Sequence, residues 1–222
     1  MKGFVIVLGS AAMLIAGSAQ AGVSGFYGTG VDVAGGVDKA WTIVSSTGFP
    51  APSGIAYPFT GAGFPYPYWL TPSSGAWDSP DSGNTSVNSG RDPALAGDYV
   101  WQTTFSSNGA GAIRLEFAAD NAVSSIVLNG ATVWTSSHCV TDTSCPSDYG
   151  QLQSVILSGF ASGLNTLDFN VVNYAQNGGN PTGLYVAAIP EASTWAMMLI
   201  GFAGLGFAGY RRTKEGRAAL IA

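Results

Sequence analysis

The sequence predicts an all-β fold, a single β-sandwich of the jelly-roll kind. Three observations point there. Short runs in which apolar and polar residues alternate recur from residue 98 to residue 188, each bounded by turn residues. The pair Asn129-Gly130 stands between two such runs, and both residues tolerate the positive φ of a type I′ hairpin turn. No stretch between 22 and 188 carries the 3.6-residue apolar period of an amphipathic helix.

Taken in order, Ala40 to Ser45 (AWTIVS) is β-branched and aromatic and reads as the first strand. Asp98 to Phe105 alternates, placing Tyr99, Trp101, Thr103 and Phe105 on one face. Ala112 to Ala118 alternates again, with Ile113, Leu115 and Phe117 directed inward and Arg114 and Glu116 outward. Val123 to Leu128 and Ala131 to Thr135 flank the Asn-Gly turn. Val155 to Leu157, Thr166 to Val172 and Leu184 to Ala188 bring the total to about eight short strands, the number and spacing of a sandwich or jelly roll. Between Thr47 and Gly97 the texture differs. Phe49 to Leu70 (FPAPSGIAYPFTGAGFPYPYWL) is rich in proline and aromatics. Proline removes ladder donors, so long loops and short edge strands are expected here. Phe49, Tyr57, Phe59, Phe64, Tyr66, Tyr68 and Trp69 would pack them onto the sandwich.

Both ends read as export machinery. Lys2 precedes an apolar run from Phe4 to Ala16, and Ala19-Gln20-Ala21 offers the small residues that signal peptidase accepts. Residues 1–21 are therefore expected to be a signal peptide cleaved after Ala21. At the other end, the uncharged run Ala196 to Tyr210 would make a short helix of roughly 22 Å at ~1.5 Å per residue. Trp195 and Tyr210 bracket it as interfacial aromatics, and Arg211, Arg212, Lys214 and Arg217 follow on what would be the cytoplasmic side. The helix is expected over about 195–210. Between the ends lies one domain, Gly22 to Ala188, long enough for a sizeable core. It holds ten Asp and Glu116 against Lys39, Arg91 and Arg114, a net charge of −8. So acidic a surface argues against nucleic acid as a partner. Cys139 and Cys145 are the two cysteines of an exported region, and a disulfide across that short loop is expected. A zinc site there would need more ligands than these two plus His138, the one histidine of the chain.

The order Pro190-Glu191-Ala192-Ser193-Thr194-Trp195-Ala196, apolar helix, Arg211-Arg212 resembles the PEP-CTERM sorting signal of exosortase substrates, in the subtype running P-E-x-x-x-W-A. Ala192 stands where the family name has Pro. The resemblance covers Ile189 to Arg212 and implies function-bearing positions at Pro190, Glu191, Trp195, Ala196, Arg211 and Arg212. It implies an exopolysaccharide-producing Gram-negative source and an exosortase-type transpeptidase as partner. The inner membrane would be a transient station before the outer surface or the extracellular matrix. The core also resembles galactose-binding-like jelly rolls, on GDYVWQTTF (97–105), AADN (118–121), LNG (128–130), GLNTLDFNV (163–171) and GLYV (183–186). That resemblance implies the fold, and a structural Ca²⁺ is common in such domains.

The chemistry legible in the residues is sparse. His138 has no G-x-S-x-G elbow to serve. A glycosidase needs two carboxyls about 5 to 10 Å apart. Glu116 is the one Glu of residues 22–188 and reads as solvent-facing, while Asp98, Asp120 and Asp168 read as strand or turn edges. No catalysis is therefore expected. No cofactor is expected beyond a structural Ca²⁺ held by Asp120, Asn121 and Asp98, with Asp32 or Asp38 as further donors. Carbohydrate is the ligand class that the aromatics suit, because Trp and Tyr faces stack on pyranose rings. Tyr66, Tyr68, Trp69, Trp77 and Trp134 are the candidates, against core packing as the plainer role for each. The chain is thus expected to be a non-enzymatic surface or matrix protein with weak affinity for exopolysaccharide. The alternatives are a secreted polysaccharide hydrolase, for which Asp120 and Asp168 would be the residues to test, and a purely structural matrix component.

Overall fold

Alternation that buries every second side chain decides the architecture. In the computed structural model, residues 22–47, 54–59, 65–80, 96–174, 181–189 and 201–207 are described. They form the strands β1 (Val23–Ser24), β2 (Val33–Ala34), β3 (Val37–Asp38), β4 (Trp41–Ser46), β5 (Tyr57–Phe59), β6 (Trp77–Ser79), β7 (Gly97–Asn108), β8 (Ala112–Asp120), β9 (Ala122–Leu128), β10 (Ala131–Thr135), β11 (Gln153–Ser158), β12 (Ser162–Asn173) and β13 (Gly183–Ile189). One sheet runs β10-β9-β12-β7, with β1 and β4 both pairing the far edge of β7. The second runs β11-β8-β13-β6-β5, and β2 pairs β3 in a separate hairpin. The protein is an all-β sandwich. From β7 onward the chain crosses between the two sheets at every connection except the β9–β10 hairpin, the alternation of a jelly roll.

The longest pairing is β7 with β12, twelve register pairs from Asn108↔Ser162 to Gly97↔Asn173. Its inner face carries Tyr99, Trp101, Thr103 and Phe105 from β7, with Leu167, Phe169 and Val171 from β12. Ile113, Leu115, Phe117 and Ala119 of β8, with Leu184 and Val186 of β13, meet them from the other sheet. Trp41, Phe105, Phe117 and Phe169 join this core through edge-to-face contacts with ring centroids 5.5 to 6.4 Å apart. Each such pair adds roughly 0.5–1.5 kcal/mol beyond the area it buries. The expected hairpin is formed: Asn129 has φ 51° and Gly130 φ 81°. The Asn129 side chain also accepts from Thr166 N (2.9 Å) and donates to Asn165 Oδ1 (2.8 Å), which ties the turn to β12.

Around β13, β6 and β5 the second sheet is buried on both faces, while β11 and the start of β8 keep an exposed outer face. The covered outer face presents Ala118, Tyr185, Ala187, Trp77 and Phe59, and Trp69 lies over them. The Pro- and aromatic-rich segment supplies this cover, and its regular structure is limited to the short strands β5 and β6. Gly183 lets the cover close down. A Cβ at that position would stand 2.6 Å from Trp69 Cη2 and 3.0 Å from the Asp78 carbonyl. The cover also leaves Glu116 partly buried rather than fully in solvent, with Arg114 Nη2 3.7 Å from Oε1.

The signal-peptide residues Ala19 and Ala21 and the sorting positions Pro190, Glu191, Trp195, Ala196, Arg211 and Arg212 lie outside the described residues. Of the expected 195–210 helix, residues 201–207 are described, and they are helical. No helix among the described residues is long and apolar enough to cross a membrane.

Candidate functional site

The longer connections meet at one end of the sandwich. The β8–β9 junction at Asp120-Asn121, the 136–152 connection, the C-terminal end of β12 and the N-terminal end of β13 share this end, and the 65–70 turn packs against them. Asn121 is the tie-point. Its N–H donates to the Val172 carbonyl (3.1 Å), and its carbonyl accepts from Asp148 N (2.6 Å). Its Oδ1 accepts from Tyr174 N (2.6 Å) and its Nδ2 reaches Ser147 Oγ (3.4 Å). Asp120 Oδ2 accepts from Trp69 Nε1 at 2.7 Å. Leu70 N donates to the Tyr149 carbonyl (2.8 Å), and Trp77 Nε1 to the Leu70 carbonyl (3.0 Å). The 65–70 turn closes on itself through Tyr68 N and Trp69 N, both donating to the Pro65 carbonyl.

On this framework Tyr68 stands 63% exposed, and Tyr66 and Tyr149 are half-buried. Tyr66 leans on Phe59, with ring centroids 5.4 Å apart. Burial raises the Tyr66 phenol above its ordinary range. The other aromatic candidates are placed differently. Trp69 (2% exposed) and Trp77 (fully buried) stack on each other with centroids 4.3 Å apart and planes 29° apart. Their faces are spent on the outer cover of the second sheet, so they take the plainer packing role and are removed as sugar-stacking candidates. Trp134 sits on β10, half-buried and edge-on to Phe117 at 5.2 Å. Of the five candidates Tyr68 is the exposed one, and Tyr66, in the same turn, is half-buried. Tyr149 was missed because it lies in a polar stretch just after the cysteine loop, with no strand pattern to mark it.

The expected calcium donors are not brought together. The oxygens of Asp120 and Asn121 described above already accept N–H donors. Asp98 pairs with Val172 on the side of β12 away from the Asn121 junction. No group of three or more His, Cys, Asp or Glu suited to a metal occurs among the described residues. Asp168 and Asp120 do not form a carboxyl pair either. Asp168 lies mid-strand on β12, its Oδ1 accepting from Gln102 Nε2 at 2.8 Å. About 13 Å of strand separates it from Val172, beside the Asp120-Asn121 junction.

Two buried carboxyls shape the electrostatics. Burial pushes Asp120 up to about 7, partly opposed by the Trp69 hydrogen bond. Asp148 is raised by burial, with His138 opposing. Cys139 and Cys145 are bridged, Cα atoms 5.4 Å apart, and His138 pins that loop. Its Nδ1 lies 2.8 Å from the Cys139 carbonyl and its Nε2 3.0 Å from Asp148 Oδ1. Both partners can only accept, so the imidazolium is the form that satisfies them. The Cys139 carbonyl first and then Asp148 raise the His138 pKa.

A second polar feature lies across β13 from Asp120, where Asp78 pairs with Leu184 and Asp38 of the 27–41 segment meets it. Asp38 Oδ2 accepts from Gly30 N (2.6 Å), and its Oδ1 from Ala40 N (2.7 Å) and Trp41 N (3.2 Å). Asp78 of β6 is fully buried, and among the described residues no donor group reaches either of its oxygens. The group beside it is the Asp38 carboxylate, which can share a hydrogen bond only when one of the two is protonated. Burial first, then the Asp38 charge, raises Asp78 well above the carboxylate range.

No protein-family model matches the chain, and no curated protein matches it. A solved structure similar to it is that of a family 35 carbohydrate binding module from an environmental isolate. The identity is 12% and the TM-score 0.32, over 69% of this chain and 90% of that chain. The fold assignment rests on the strands and their register, not on that likeness.

Proposed function

We propose that the chain is a non-enzymatic surface or matrix protein of an exopolysaccharide-producing Gram-negative bacterium, whose sandwich binds carbohydrate weakly at the loop end. The observation that carries the binding reading is Tyr68. A large ring is 63% exposed on a turn held by hydrogen bonds to Pro65 and Tyr149. A turn held in place before binding reduces the entropy lost when a sugar face stacks on its aromatic ring. Export and sorting by a signal peptidase and an exosortase-type transpeptidase rest on the residue patterns at 1–21 and 189–212.

A glycan array carrying neutral and acidic polysaccharides, the host's own included, tests the binding. Tyr68→Ala should weaken any affinity by about ten-fold, the value of one aromatic contact. Absence of signal on every glycan would leave the purely structural matrix role. Binding unchanged in Tyr68→Ala would move the site elsewhere on the sandwich.

A further inference from the structure

We propose that the edge of β11 that no strand pairs among the described residues is a self-association surface, on which a second copy of this chain adds its own β11 antiparallel across a two-fold axis at Ile156. An unpaired strand edge is a template for another strand, and folded proteins commonly blunt such edges with bulges, prolines, charges or brevity. Among the described residues the other edges carry these devices. β1 has two residues, and β5 has three with Pro58 at its centre. β4 is broken by a register shift between Ile43 and Ser45, and β10 by one between Thr132 and Trp134. β11 has none of them. Its six residues, Gln-Ser-Val-Ile-Leu-Ser, keep an unbroken register with β8 from Gln153↔Phe117 to Ser158↔Ala112. It contains no charge, no Pro and no Gly, and Ile156 is 70% exposed.

The segment's own pattern favours a second copy over an unrelated strand. Residues opposite one another in an antiparallel pair share a face, so a two-fold axis must pass through a residue position. Centred on Ile156, it sets Ile156 against Ile156 and Ser154 against Ser158 on the outer face, and Val155 against Leu157 on the inner face. This register buries the most exposed apolar side chain of the strand against itself. The nearest cations interfere little. Arg114 is the β8 partner of Ile156, so the two Arg114 residues stand three strand spacings apart, about 14 Å. That exceeds the screening length of about 8 Å at physiological salt.

The test is register-specific crosslinking of the full chain with a short bifunctional thiol reagent. The native cysteines are already paired with each other. Ile156→Cys should crosslink to a dimer, because opposed Cβ atoms lie about 5 Å apart. Ser154→Cys mixed with Ser158→Cys should give the mixed dimer, while Ser154→Cys alone should give little. Thr104→Cys, exposed on the other sheet, should stay monomeric. Adding Val155→Pro to Ile156→Cys should abolish its dimer, with Ile156→Cys itself as the folded reference. Equal crosslinking of Ile156→Cys and Thr104→Cys, or no dimer from Ile156→Cys, overturns the proposal.

Discussion

Asp120→Asn should flatten the pH dependence of folding stability. The Asp120 carboxyl is buried at the β8–β9 junction and titrates near 7, against an ordinary 3.8. Because the folded pKa is raised, the folded protein holds a proton that the unfolded chain has lost. The penalty for ionising the buried group is absent below 3.8, grows as pH rises, and is complete above about 7. At 1.36 kcal/mol for each pH unit, the whole penalty is about 4 kcal/mol. The chain's isoelectric point is about 4.5, so the useful window runs from pH 5.5 to 8. Within it this one group should cost the wild type about 2 kcal/mol. An asparagine of the same shape keeps an oxygen for Trp69 Nε1 and has no proton to lose. Urea unfolding of wild type and Asp120→Asn at pH 5.5 and 8 measures the effect. The variant should lose about 2 kcal/mol less than the wild type across that interval. Equal losses in the two proteins would show that Asp120 is already ionised at pH 5.5. Failure of the variant to fold would show that the carboxylate is required. Either result refutes the protonated state at this junction.

Two further outcomes follow from groups shifted the same way. Asp78→Asn should stabilise the protein by roughly 1–3 kcal/mol at pH 8, because an amide can donate to Asp38 where the carboxylate has no donor; chemical unfolding at pH 8 reads this directly, and a loss of stability would refute it. The His138 pKa should lie above 6.5, and the 139–149 loop should become more susceptible to proteolysis as pH rises through it, because the imidazolium form satisfies Cys139 O and Asp148; NMR titration and limited proteolysis of wild type and His138→Gln measure both, and a His138 pKa below 6.5 would contradict the geometry.

The sheets were legible in the sequence because period two is a direct consequence of which face is buried. β7, β12 and the first half of β8 bury one side chain in two, and β9 and β10 turn through Asn129-Gly130; both patterns can be counted without a structure. β5 and β6 were legible only as a tendency, since Pro58 announces an edge without saying which sheet. The β2–β3 hairpin and β1 were not legible. Two-residue strands carry no period, and their place is decided by what they cover.

The site was less legible than the fold, and the reason is the second face of the second sheet. Trp69 and Trp77 lie where no alternation assigns a face, so both packing and sugar stacking stay open for them. In the folded chain the 65–70 turn lies back over the outer face. Trp77 and Tyr185 become a second core layer beneath it, and Trp69 closes it. That layer consumes the two tryptophans, yet it also fixes the turn from which Tyr68 projects, and it explains why the indole N–H of Trp69 reaches a carboxyl at the loop end. Asp78 escaped notice for the converse reason. Three residues of β6 between turns show no alternation, and an aspartate there reads as a turn residue. Its pairing with Leu184 turns it inward toward Asp38. The same packing that withdraws Trp69 from solvent therefore keeps Tyr68 presented, so a Trp69→Ala variant would be expected to lose the Tyr68 surface together with stability, whereas Tyr68→Ala would lose the surface alone.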